Sequence, residues 1–205
     1  MTTTYIGLLT IIIAIASYGI YIRDTIKGRT RPHAISWVIW AVLNGFIFTQ
    51  QLIHGAGPGA WVTGVAAAAN VLIVLLSLKY GERNITRIDW LCLVISGAVL
   101  ALWLQNVNDT LTVSLACIVF VVGFIPTFRK SFRKPGEETV ATFGLNSIKF
   151  FLALFALNQI TLVTALYPFV LGLMNGSFVI FLIIRRIKLG SKLKSKKGAK
   201  YVQPS

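Results

Sequence analysis

The sequence predicts an all-helical membrane protein of seven transmembrane helices in a three-plus-one-plus-three arrangement, with its N-terminus outside and its C-terminus cytoplasmic. Seven apolar stretches of about twenty residues, the length that crosses a hydrocarbon core, follow one another along the 205-residue chain. Every lysine and arginine except Lys149 falls in one of four clusters between or after those stretches. Alternate gaps carry none, so the positive-inside rule puts all four clusters on the cytoplasmic side.

The first stretch, residues 4–22, lacks a basic segment ahead of its apolar core, which favours a retained helix over a cleaved signal peptide. It runs into a basic loop with Arg23, Lys27, Arg29, Arg31 and Pro32. The second, residues 33–53, and the third, 60–78, are separated by an uncharged gap around His54 to Gly59, and the third ends at Lys79, Arg83 and Arg87. The fourth, 88–104, meets the uncharged gap at 105–110, and the fifth, 111–128, ends at Arg129, Lys130, Arg133 and Lys134. The sixth, 139–157, and the seventh, 162–184, flank a third uncharged gap at 158–161. Irregular backbone cannot face lipid, so such runs read as helices.

The formal net charge is +14, and the loops hold most of it in places that membrane orientation already explains. No zinc-finger, homeodomain or RNA-binding signature accompanies it, so nucleic acid is not an expected partner. The tail, residues 187–205, is rich in lysine, glycine and serine, and is expected to be disordered near anionic lipid headgroups. Cys92 and Cys117 sit inside apolar stretches as small buried hydrophobes. His33 and His54 lie on opposite sides of the membrane and cannot share a metal. No cofactor is expected, and a homo-oligomer is left open.

The first three stretches can be laid against the last three with a shift of about a hundred residues, leaving the fourth as a linker. Residues 1–80 form one unit, 81–110 the linker and 111–186 the other. An odd linker leaves the two units in the same orientation, related by an axis along the membrane normal. Asn70 and Asn175 match in depth, each about ten residues, or roughly 15 Å, from a basic end. Tyr18-Gly-Ile-Tyr-Ile-Arg23 matches Phe124-Ile-Pro-Thr-Phe-Arg129. Gly64 with Ala68, and Gly172 with Gly176, give the third and seventh helices small residues for close packing.

With that layout, the asparagine pair and the Pro126-Thr127-Phe128 end of the fifth helix, the chain resembles the SWEET and PQ-loop transporter superfamily over nearly all of residues 4–186. It departs from the family pattern in lacking the proline–glutamine dipeptide at Ile20-Tyr21 and at Pro126-Thr127. The resemblance implies a carrier that binds a sugar between its two halves, with an asparagine from each unit on the solute. It also implies that prolines bend helices during alternating access, which nominates Pro126 and Pro168 as hinge or gating residues.

Asparagines at mid-depth need partners in a bilayer; either Asn70 and Asn175 offer donors and acceptors to a solute or each bonds a neighbouring helix. Trp37, Trp40 and Asn44 share one helical face, of which Trp40 and Asn44 are the deeper pocket residues and Trp37 is expected to anchor at the interface. That face is also reminiscent of nicotinamide-riboside transporters, so a vitamin or nucleoside competes with a sugar. Asn146 and Lys149 supply the opposite wall; an ammonium at that depth costs about 2.5–3.5 kcal/mol, so Lys149 either snorkels to water or binds an anion or acts in gating.

The seventh helix carries no lysine for a retinal Schiff base, which excludes a rhodopsin. All acidic residues sit near helix ends or loops, which disfavours a buried proton relay and leans toward facilitated diffusion. No carboxylate pair, metal cluster or Ser-His-Asp set can be assembled at one depth, so an enzyme is not expected. A receptor that binds without transport, or a purely structural role, are the readings from other classes.

Overall fold

A computed structural model describes residues 1–103 and 108–200, with side chains through residue 101 and over 108–190. Among the described residues there are seven α-helices and two short 3₁₀ turns. They are α1 (Thr2–Ile26), α2 (Ala34–Ile53), α3 (Trp61–Tyr80), α4 (Arg87–Trp103), α5 (Asp109–Arg133), α6 (Val140–Phe155) and α7 (Leu162–Lys200). Five helical spans, Thr2–Ile26, Ala34–Ile53, Gly57–Tyr80, Asp109–Arg133 and Leu162–Gly190, are long and apolar enough to cross a membrane, as in an integral membrane protein. α6 is a shorter apolar helix of 16 residues, and α4 has 17. Leu8, Ile12, Ile15, Val71, Leu75, Val94, Ile118 and Ile180 face outward, an apolar exterior suited to lipid.

Local chemistry sets the helix ends. α1 and α2 both finish in a Schellman motif: Gly28 (φ +70°) and Gly55 (φ +68°) adopt the left-handed conformation. Their N–H groups donate to Thr25 and Leu52, while the amides of Arg29 and Ala56 donate to Asp24 and Gln51. α4 opens with a capping box, in which the Asp89 carboxylate accepts from the N–H (2.7 Å) and hydroxyl (2.9 Å) of Thr86. Asn108 caps α5 by accepting from the Thr110 amide at 2.9 Å.

α3 packs against both α1 and α2, and α7 against both α5 and α6. Across the middle, α1 packs on α6 and α2 on α5. This scheme is unchanged when α1, α2 and α3 are exchanged for α5, α6 and α7; α4 lies outside it, mainly against α5. Small residues permit the close approaches: a Cβ on Gly64 would lie 2.9 Å from the Phe48 ring of α2, and one on Gly172 2.9 Å from the Phe151 ring of α6.

The loops gather as their charge pattern predicts. The three basic loops meet at one end, where the Arg31 amide donates to Glu137 and the Glu82 amide to Pro32. The loops around Ala56 and Asn158 meet at the opposite end, where the Asn158 amide donates to Ala56. Residues 57–60, expected to lie in a gap, form a 3₁₀ turn, Gly57–Ala60, that packs on α1 and α6. α7 continues to Lys200 through a tail for which disorder was expected; lysine is a good helix former, and extending an existing helix needs no new nucleus. Residues 104–107, which close the predicted fourth segment and open its gap, and residues 201–205 of the tail lie outside the described residues.

Candidate functional site

A cavity of about 20 Å³ sits at the centre of the bundle. Every helix except α4 contributes to its wall: Tyr18 from α1, Trp37, Trp40 and Asn44 from α2, and Asn70 from α3. The other half supplies Phe120 and Phe124 from α5, Phe143, Asn146 and Phe150 from α6, and Leu171 and Asn175 from α7. Asn70 and Asn175, predicted to face one site, do line one cavity, together with Trp40, Asn44 and Asn146. The space holds about one water.

The two halves build the wall from matched positions. Tyr18 and Phe124, Trp37 and Phe143, Trp40 and Asn146, and Asn44 and Phe150 are each 106 residues apart in the chain, and Asn70 and Asn175 are 105 apart. Two of these pairs are crossed in chemistry. Where α2 has an indole at Trp40 and an amide at Asn44, α6 has an amide at Asn146 and a ring at Phe150. The site therefore has twofold spacing without twofold chemistry, and can orient an asymmetric solute.

The amides differ in how fully they are satisfied. The Asn44 Nδ2 donates to the Trp40 carbonyl at 2.8 Å, and the Asn175 Nδ2 to the Leu171 carbonyl at 2.8 Å, each one turn back along its own helix. Asn146 accepts from the Ser17 hydroxyl of α1 at 2.8 Å. Among the described residues, the Oδ1 of Asn70 is buried without a hydrogen-bond partner. A buried unpaired carbonyl costs about 1–3 kcal/mol, a cost that a donor on a solute would remove.

Trp37, expected to anchor at the interface, is instead 2 % exposed, and its indole N–H donates to the Tyr21 hydroxyl at 3.2 Å. Depth places a tryptophan near the interface, whereas rotation about the helix axis turned this one inward. The Phe143 partner 106 residues on was the available signal. Tyr18 and Phe124 were equally visible as the aligned first residues of the two matched helix ends. Phe120 and Leu171 carried no such mark.

Lys149 does not snorkel. Its side chain is fully buried, and among the described residues its amine has no hydrogen-bond partner. The nitrogen lies 3.9 Å above the centre of the Tyr18 ring and 5.0 Å from that of Phe150. Cation–π attraction offsets part of the desolvation cost.

Pro126 and Pro168 are both buried inside continuous helices. Pro168 cannot donate to the carbonyl of Thr164 four residues back, and the Gln51 side-chain amide of α2 donates to that oxygen at 3.3 Å. The proline thus ties α7 to α2 in the other half of the chain.

The basic end is closed by ion pairs. Lys130 donates to the Glu138 carboxylate, to the Arg31 carbonyl at 2.6 Å and to the Glu137 carbonyl at 3.1 Å. Arg129 grips Asp89 with contacts of 2.6 and 3.1 Å, Lys134 reaches Glu82 at 2.9 Å, and the His33 Nε2 lies 3.4 Å from Asp89. Burial pushes Glu138 above the usual carboxylate range despite the pull of Lys130. Burial likewise holds His33 below its usual value, against the opposing charge of Asp89.

Glu138 was expected at a helix end and lies there, but it is 3 % exposed. It accepts from the Tyr21 hydroxyl at 3.2 Å, and Tyr21 in turn accepts from the cavity residue Trp37. A hydrogen-bonded chain therefore runs from the ion-pair cluster to the cavity wall.

No family model, curated protein or solved structure matches this chain.

Proposed function

We propose that this chain is a seven-span carrier for a small polar solute, built from two parallel three-helix units joined by α4 and related to the SWEET and PQ-loop transporters. The observation that carries this reading is the central cavity, whose wall draws five pairs of residues at a spacing of 105 or 106 from the two halves. A site at the interface of two repeats is what alternating access requires. Closure at both ends fits an occluded intermediate of that cycle. The gathering of the basic loops at one end supports an orientation with that end, and the C-terminus, in the cytoplasm, within a plasma-type membrane.

Asn70 and Asn175 bind the solute, and Trp40, Asn44 and Asn146 shape its walls. Pro126 and Pro168 act as bending points, because each removes one backbone hydrogen bond from a helix that must move. A sugar is the substrate class implied by the resemblance. A planar vitamin or nucleoside is the second reading, favoured by the seven aromatic side chains among the twelve that line the cavity.

The test is uptake of labelled sugars, nucleosides, vitamins and amino acids into proteoliposomes, comparing the native chain with folded Asn70→Ala and Asn175→Ala. We expect one class to be taken up and both variants to lose it. Equal uptake in all three would remove the asparagines from the site. Binding without uptake of any solute would favour a receptor.

A further inference from the structure

We propose that the solute carries a carboxylate and that Lys149 supplies its counter-charge; this deepens the carrier reading above and rests on it. The chain has six acidic residues, and all six are already engaged elsewhere. Asp24 contacts Arg23, Glu82 and Glu137 contact Lys134, Asp89 contacts Arg129 and His33, Asp109 contacts His54, and Glu138 contacts Lys130. Among the described residues, Lys149 is left as a fully buried amine with neither an ion pair nor a hydrogen bond. Its positive charge would be costly there without a partner, and none of the six acidic side chains is free to supply one.

The position of the ammonium indicates where relief comes from. The two rings it rests against, Tyr18 and Phe150, are both walls of the central cavity, so the nitrogen borders that cavity without lining it. Asn146, one turn back on the same buried face of α6, also opens on that cavity. The lysine stem is flexible enough to trade the ring face for a carboxylate oxygen, which is the stronger partner. The unpaired Asn70 carbonyl takes a donor elsewhere on the solute. The aromatic walls favour a planar carboxylate.

Binding of nicotinate and acetate to the purified full chain is compared with that of their neutral amides, nicotinamide and acetamide. Quenching of tryptophan emission reports occupancy, because Trp37 and Trp40 are in the wall. We expect nicotinate to bind more tightly than nicotinamide and Lys149→Gln to weaken nicotinate about tenfold or more. Lys149→Arg should restore most of that loss, and nicotinamide should be unaffected by either substitution. The thermal midpoint of unliganded Lys149→Met should rise, because a buried polar group without a hydrogen-bond partner is removed.

Carboxylate binding that is absent, or unchanged in Lys149→Gln, overturns the proposal. So does a fall in the Lys149→Met midpoint, which would make the lysine a packing element. If a neutral solute is still taken up in an Asn70-dependent way, the carrier reading stands while this one falls. If nothing is bound or taken up, both fall.

Discussion

At the basic end of the bundle, Lys130 and Arg129 hold four segments together through Glu138, Asp89 and backbone carbonyls. At the opposite end the contacts are between small residues. A Cβ on Gly7 would lie 2.6 Å from the Pro58 Cβ, and one on Gly59 would lie 2.5 Å from the Leu157 side chain. Among the described residues, the His54–Asp109 contact there sits at the exposed rim. One end is held by buried charge and the other by close packing. The first depends on protonation and the second on shape alone, so solution conditions should act on the two ends unequally.

The largest effect should come from breaking the central ion pair. Lys130→Met leaves the Glu138 carboxylate and two carbonyls without their donor, at a cost of about 3–5 kcal/mol. Thermal unfolding in detergent should show it, and Glu138→Leu on top of Lys130→Met should recover most of the loss. The penalty should shrink in acid, because Glu138, already raised by burial, takes up a proton readily. A penalty that is flat with pH would show that the pair acts by packing.

Gly7→Ala should cost about 1–3 kcal/mol by overpacking against Pro58. Its effect should be the same at any pH or salt concentration, which distinguishes this end from the other in one denaturation series.

The pH response should trace partly to His33. Its folded value lies below its unfolded one, so its contribution to stability is fully present above about pH 6.5 and is lost as pH falls through that value toward the lowered one. Replacing it by Asn should flatten the slope of the unfolding midpoint between pH 7 and 5. An unchanged slope would assign it to other groups.

The smallest effect should belong to Lys134 and Glu82. Lys134 is 43 % exposed, and a double-mutant cycle should give no more than about 1 kcal/mol, reduced by high salt.

Much of this comparison could be read from the chain and part could not. Charge spacing gave the helices and the gathering of the basic loops, because both follow from one-dimensional rules about length and sign. The repeat gave depth, and depth was enough to pair Asn70 with Asn175 and to bring Asn44 and Asn146 to the same cavity. Rotation was not available from it. Trp37 was assigned to the interface on depth alone, and the burial of Lys149 beneath Tyr18 depends on how α1 and α6 face each other. The Glu138–Tyr21 contact, between residues 117 apart, joins α1 to the loop before α6, an adjacency that no local pattern announces. Gln51 answering the carbonyl freed by Pro168 is of the same kind.

The packing of α1 on α6 has a consequence for biosynthesis. The Ser17 hydroxyl donates to Asn146 and the Thr142 hydroxyl to the Ser17 carbonyl, contacts that span 129 and 125 residues. At the elongation rates of ribosomes, the first helix waits on the order of ten seconds before its partner is made. Thr10 spends that interval bonded to its own Gly7 carbonyl, but the acceptors of the Ser17 and Tyr21 hydroxyls lie on segments not yet translated. During that interval the first half is an unfinished surface exposing hydroxyls to lipid or to the insertion machinery, and it is completed only when the second half arrives.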